Sequence, residues 1–347
     1  MFRRLVFLTL TALLVRTACT VGGANETAPD PCLAGVVPIS ASTHQTWVRL
    51  KPGHSPPPRS DAAFAYDSAS GSGVLFGGST ESGYLADTWT WDGAGWNLQH
   101  PRASPSARSD AGIASDPAGH VVLFGGFGPG AGAAALLGDT WTWDGRDWTR
   151  QHPRTSPEPR LSPQMAYDND LGKTVLYGGF DPAQHSGYTS TVWTWDGSSW
   201  SEQAVDSNPN VFGAGAFAFD PISRSFVLFG GFRARVISET WSFDGTKWVR
   251  LSPTLSPPGR RNAAFEFDPS GQGILFGGTP YLGGSMGDTW SWHAGSWTEL
   301  HPPVSPSSRT GPAMIYDARS QRLILFGGLI VAKSHSKPAC DTWAWVD

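Results

Sequence analysis

The sequence predicts an all-β protein, a six-bladed β-propeller, on three observations. The first is the block DTWTWDGAGW at 87–96, which returns at 139–148, 191–200, 239–248 and 288–297, with DTWAWVD at the end of the chain. Steps of 48 to 53 residues between copies are those of a repeated supersecondary unit. The second is a glycine doublet ahead of each block: LFGG at 75–78, 123–126, 228–231, 275–278 and 325–328, and LYGG at 176–179. The third is composition. Only 16% of residues are charged, and 42 glycines and 28 prolines in 347 residues suit a turn-rich β protein rather than a helical one.

Residues 1–19 are predicted to be an export signal. MFRR is basic, and LVFLTLTALLV (5–15) is apolar but too short to span a bilayer stably. Arg16-Thr17-Ala18-Cys19 resembles a bacterial lipobox, which would lipidate Cys19, although an arginine stands where an aliphatic side chain belongs. Cleavage after Gly22-Gly23-Ala24 is the rival. Residues 20–44 read as a flexible tether, in which Asn25-Glu26-Thr27 fits a glycosylation acceptor. The expected location is outside the cell, secreted or attached to its surface, with any membrane contact made through that lipid alone. With net charge −4 and no basic run beyond Arg3-Arg4 and Arg260-Arg261, the footprint of a nucleic-acid binder is lacking.

The propeller is placed at 45–347. Its unit begins with RSDAAFAYD (59–67), continues through VLFGG (74–78), a loop of variable length and TWTWD (88–92), and ends at Trp96. The alternation in AAFAYD and TWTW is that of half-buried strands. Asp92-Gly93 signals a two-residue hairpin turn. Four short antiparallel strands make one blade. Tryptophans, each burying 150–250 Å², are natural fillers between twisted sheets. The sixth unit stops before its fourth strand, and TWVRLKP (46–52) matches the fourth-strand pattern of KWVRLSP (247–253), so an N-terminal strand is expected to complete the last blade. A monomer is expected.

With the glycine doublet, the acid-Thr-Trp block and the Asp-Gly turn in view, residues 46–347 resemble the kelch repeat family, most closely bacterial kelch propellers related to the central domain of galactose oxidase. The resemblance implies a propeller and says little about activity. Copper held by Tyr and His, with a Tyr cross-linked to Cys, is what galactose oxidase would imply. Cys32 and Cys340 lie outside the matching blade positions, so no cofactor and no metal site is expected.

Five units carry an arginine eight residues before the Asp that ends strand one: Arg59, Arg108, Arg160, Arg260 and Arg309, with Phe212 in the fourth unit. An acid stands two before the first strand-three Trp: Asp87, Asp139, Glu239, Asp288 and Asp341, with Thr191 in the third. The step from acid to the next unit's arginine is 21 residues, and the missing acid and missing arginine fall on the same step. Pairs between neighbouring blades are therefore expected, Asp87 with Arg108, Asp139 with Arg160, Glu239 with Arg260, Asp288 with Arg309, and Asp341 with Arg59. A ring of arginines serving an anion at the channel mouth is the alternative. A disulfide between Cys32 and Cys340 is expected in an oxidising compartment.

No nucleophile elbow or phosphate loop is present. The variable loops between strands two and three carry the non-repeat polar residues, and variable loops on a rigid scaffold are where binding residues tend to sit. His185, Tyr188, Arg233, Arg235, Tyr281 and His335 are the candidate binding residues. The leading expectation is an exported, non-enzymatic recognition protein that holds a protein or glycan on this face. A sugar-active enzyme (epimerase, lyase or oxidase) using the central pocket is the alternative.

Overall fold

A computed structural model describes residues 45–347 apart from 117, 131–134, 182–188, 210, 212 and 333–335. Cys19, Cys32, His185, Tyr188 and His335 lie outside the described residues. Six antiparallel four-stranded sheets form a ring of blades. In blade 1 the order from axis to rim is Ala63–Asp67, Ser72–Phe76, Thr88–Trp91 and Trp96–Gln99. Blade 6 takes its inner strands from Ala313–Asp317, Arg322–Phe326 and Thr342–Val346, and its outermost from Thr46–Leu50, with Trp47 opposite Trp345.

The core lies between blades. Neighbouring residues of the second strand point to opposite faces of the sheet, so Val74 packs with Val121, Trp143 and Trp148 of blade 2. Leu75 packs with Ile324, Phe326 and Ala344 of blade 6. Both faces are covered, which is why these strands read as unbroken apolar runs.

The Thr of the repeated acid-Thr-Trp block joins blades through a hydrogen bond. Five of the six fourth-strand indoles donate Nε1–H to the strand-three threonine Oγ1 of the preceding blade: Trp148 to Thr88 and Trp200 to Thr140 at 2.9 Å, and Trp297 to Thr240 at 2.9 Å. Trp96 reaches Thr342 at 2.9 Å and Trp47 reaches Thr289 at 3.0 Å. Blade 3 has Val192 at this position, and the buried Trp248 Nε1 that should use it has no partner. Restoring a buried acceptor to an orphaned donor is worth about 1 kcal/mol, with 1–3 kcal/mol lost when one is removed. Val192→Thr should therefore raise the thermal midpoint and Thr140→Val should lower it; a Val192→Thr protein no more stable than its parent would show that Trp248 is satisfied by other means.

The glycine doublet stitches blades through the main chain. Gly78 N–H donates to Arg108 O at 2.8 Å, and Arg108 N–H donates to Leu85 O at 3.0 Å. Gly77 has φ +65°, and a Cβ there would sit 2.5 Å from Arg108 O, so a side chain is excluded. Blades 6 and 1 are joined alike, by Gly328 N–H to Arg59 O at 2.9 Å and Arg59 N–H to Ala339 O at 3.0 Å.

The turn between strands three and four differs from the two-residue expectation. Trp91 faces Trp96, leaving the four residues 92–95 as the loop. Asp92 Oδ1 accepts from Ala94 N–H at 3.0 Å and Gly95 N–H at 2.8 Å, so its carboxylate replaces the missing ladder bonds. Only blade 5 has the two-residue form among the described residues: His293 faces Ser296 across Ala294 and Gly295, both at positive φ.

Candidate functional site

The five arginines do not line the channel mouth. Arg59, Arg108, Arg260 and Arg309 have fully buried side chains, each reaching outward along its own blade. Arg108 donates to Asp139 Oδ1 at 2.7 Å and Oδ2 at 2.9 Å, and to Gly125 O at 3.0 Å. The same forked pair joins Arg59 to Asp87, Arg260 to Asp288 and Arg309 to Asp341. The expected inter-blade pairs are thus corrected: each acid pairs within its own blade. What crosses to the next blade is the arginine main chain. The fixed step of 21 residues reflects a constant connection from strand three to the next strand one, not a contact. Arg160, lacking a carboxylate at Thr191, donates to Thr191 Oγ1 at 3.1 Å, and its burial pushes it down to about 10. With every guanidinium engaged, the arginine-ring alternative loses its donors.

Blade 4 lacks the buried arginine, and its acid turns elsewhere. Glu239 Oε1 lies 3.1 Å from Arg233 and 3.4 Å from Arg250, while Oε2 accepts from Trp241 Nε1–H at 3.1 Å. Around it opens a cleft of about 630 Å³ lined by Arg233, Arg235, Arg250 and Tyr281 among others. The structure therefore brings together three of the sequence-predicted loop residues, Arg233, Arg235 and Tyr281, and adds Arg250 from the outer strand Trp248–Leu251. Tyr281 is 65% exposed. Three guanidiniums face one carboxylate, so the cleft carries a net positive charge.

The same face holds the channel mouth. One residue per blade adopts a left-handed conformation there: Asp61, Asp110, Ser162, Ala214, Asn262 and Gly311. In five of them that conformation aims the N–H at a neighbouring blade. Asp110 donates to Asp61 O, Ser162 to Asp110 O, Asn262 to Ala214 O, Gly311 to Asn262 O and Asp61 to Gly311 O, all at 2.8 to 2.9 Å. The mouth encloses about 210 Å³. Burial, followed by the charge of Asp110, pushes the Asp61 carboxyl up to about 8. Burial also raises Asp110, against bonds from Ser109 and Ser162. Neither aspartate was among the sequence candidates, though a run of Asp, Asp, Ser, Asn and Gly two residues after each arginine is a signal for left-handed backbone.

At the opposite end the channel widens to a cavity of about 390 Å³. Tyr66, Ser115, Tyr167, Phe219, Phe267 and Tyr316 ring it, one from each inner strand. Glu266 stands one residue further in, where the other blades have Ala65, Ala114, Ala166, Ala218 and Ile315.

A ring of six four-stranded sheets with interfaces of this kind defines a six-bladed β-propeller. In a structural comparison the chain is similar to the protein in "Structure of YjhT", with TM-score 0.63 and 16% identity over 84% of this chain and 95% of that one, which supports the fold alone. No family model matches the sequence. Among curated proteins it is similar to tRNA wybutosine-synthesizing protein 4 of Emericella nidulans, 39% identical over 85 residues. That match covers 22% of this chain and only 8% of the relative's length.

Proposed function

We propose that this protein is an exported recognition module that holds a carboxylate-bearing partner, protein or glycan, in the cleft beside blade 4. The observation that carries the reading is the set of arginines 233, 235 and 250 around Glu239, with Tyr281 exposed at its edge. Arginine forks match carboxylates in two-point fashion, and Arg with an exposed aromatic is a common anchor pair at interfaces. Binding of poly-glutamate and of polygalacturonate to the purified protein tests it. Arg235→Ala with Arg250→Ala should weaken the bound probe about tenfold, roughly 1.4 kcal/mol. An affinity unchanged by both substitutions, at low salt, would remove the cleft from the reading.

Export, and a bond between Cys32 and Cys340, belong to the same proposal. They are supported by the basic-apolar start of the chain and by the burial of Cys340 three residues ahead of Trp343. Non-reducing peptide mapping of protein recovered from outside its host checks both, and alkylatable thiols at the two positions would count against the bond. A sugar-active enzyme is the second reading, favoured by Asp61 and Asp110, two carboxyls at one mouth with raised proton affinity. It requires that Asp61→Asn abolish turnover in a sugar screen while leaving cleft binding intact.

A further inference from the structure

The cavity at the far end of the channel has a composition that the loop-face reading does not use. Its wall is apolar and aromatic, and five of the six residues in its outer tier are Tyr66, Tyr167, Phe219, Phe267 and Tyr316. The faces of such rings carry partial negative charge. Its polar groups include the carboxylates of Glu266, Asp116 and Asp268, and among the described residues no Lys, Arg or His lines it. Glu266 is the exception in a tier otherwise made of four alanines and an isoleucine. Among the described residues its hydrogen-bond donor is the N–H of the next residue, Phe267, at 3.0 Å. A carboxylate set into an apolar wall with no cation opposite is costly unless something supplies the opposite charge.

We propose that this cavity binds an organic ammonium ion, with Glu266 as its counter-ion and the tyrosine and phenylalanine tier as its wall. A hard divalent metal suits the site less well. It needs six or more oxygens converging on one point, and among the described residues no group of three acidic, His or Cys side chains is close enough to hold one. A quaternary or primary amine is held by one carboxylate among aromatic rings, and those are the residue types that line this cavity. This inference is independent of the arginine cleft, which lies on the other face and selects the opposite charge.

The site should also be sensitive to pH. Burial pushes the Glu266 carboxyl up to about 7. The flanking inner strands bring Asp220, Tyr316 and Asp317, the paired strand Gly273–Phe276 brings no titratable group, and the rest of the wall adds Asp116, Asp268, Tyr66 and Tyr167. The three phenols are held above 10. Between pH 6 and pH 8 Glu266 titrates to its charged form, and cation affinity should rise roughly tenfold across that range.

Calorimetric titration of the full chain with choline, against its uncharged isostere 3,3-dimethylbutan-1-ol and against glucose, decides the matter. Choline should bind at pH 8, with the isostere at least about tenfold weaker. Glu266→Gln should lose about tenfold or more and abolish the pH dependence, and Tyr316→Leu should weaken choline while Glu266 is intact. Folding is checked by the thermal midpoint, which Glu266→Gln should not lower at pH 8. Equal binding of the isostere, or choline binding that survives Glu266→Gln, overturns the proposal. Glucose binding tighter than choline also overturns it, in favour of a sugar site.

Discussion

A chain lacking residues 45–52 is expected to lose most of its stability and to self-associate. The strand Thr46–Leu50 fills the outer edge of blade 6 with five ladder positions, from Thr46 opposite Val346 to Leu50 opposite Thr342. Trp47 is fully buried, contacts Phe276 and Trp345 edge-on at 5.4 and 5.3 Å, and donates to Thr289 of blade 5. Removing a buried Trp side chain alone costs about 3–5 kcal/mol, set against a total stability of about 5–15 kcal/mol. Loss of the strand also leaves Thr342–Val346 as an exposed edge that can pair with a second chain. The ring would still be joined at the Arg59–Gly328 stitch, so the expected product is a weakened, aggregation-prone propeller rather than an unfolded chain. Trp47→Ala should give an intermediate midpoint. An unchanged midpoint and a monodisperse light-scattering profile after the deletion would show that blade 6 does not depend on this strand.

Blade number and strand order were legible because they rest on period and alternation, which the backbone dictates locally. Partnerships between distant side chains were not. Arg59 and Asp87 are 28 residues apart, Arg108 and Asp139 are 31, and the loop between strands two and three accounts for the difference. A contact across a loop of variable length leaves no constant spacing, whereas the constant 21-residue step marks a connection whose two charged side chains pair elsewhere. The threonine of the repeated block was visible from the start, but its role depends on which indole the ring geometry brings beside it. Glu266 was hidden for a related reason. On an inner strand a polar residue can face solvent or the channel, and only closure of the ring shows that position 266 faces a shared cavity. The cleft was partly legible: Arg233, Arg235 and Tyr281 sit in variable loops, while Arg250 belongs to a regular strand and joins them only because Phe212 leaves Glu239 without a buried partner.

The pairing within blades makes a prediction that separates it from pairing between them. Asp139→Ala should destabilise the protein by about 3–5 kcal/mol, because it leaves the Arg108 guanidinium fully buried with only neutral acceptors: Gly125 O, Ser106 O and Ser106 Oγ. Arg108→Met in the same chain should recover much of that loss, since no unpaired charge remains. Combining Asp139→Ala with Arg160→Ala should instead give additive losses, as those residues share no bond. Burial alone would raise the Asp139 carboxyl, but the bonds from Arg108 and Trp141 outweigh it and hold the group below its usual 3.8. Asp87, Asp288 and Asp341 are held low in the same way. Because the folded value is depressed, each pair contributes its stability above about pH 4 and loses it as pH falls through the lower folded value. Asp139→Ala removes one of these four proton-linked contributions. Its stability should therefore fall less steeply than the parent's between about pH 4 and pH 2. Denaturant unfolding across that range measures both slopes. Parallel acid limbs, or coupling of Asp139 to Arg160 rather than to Arg108, would return the pair to the blade interface.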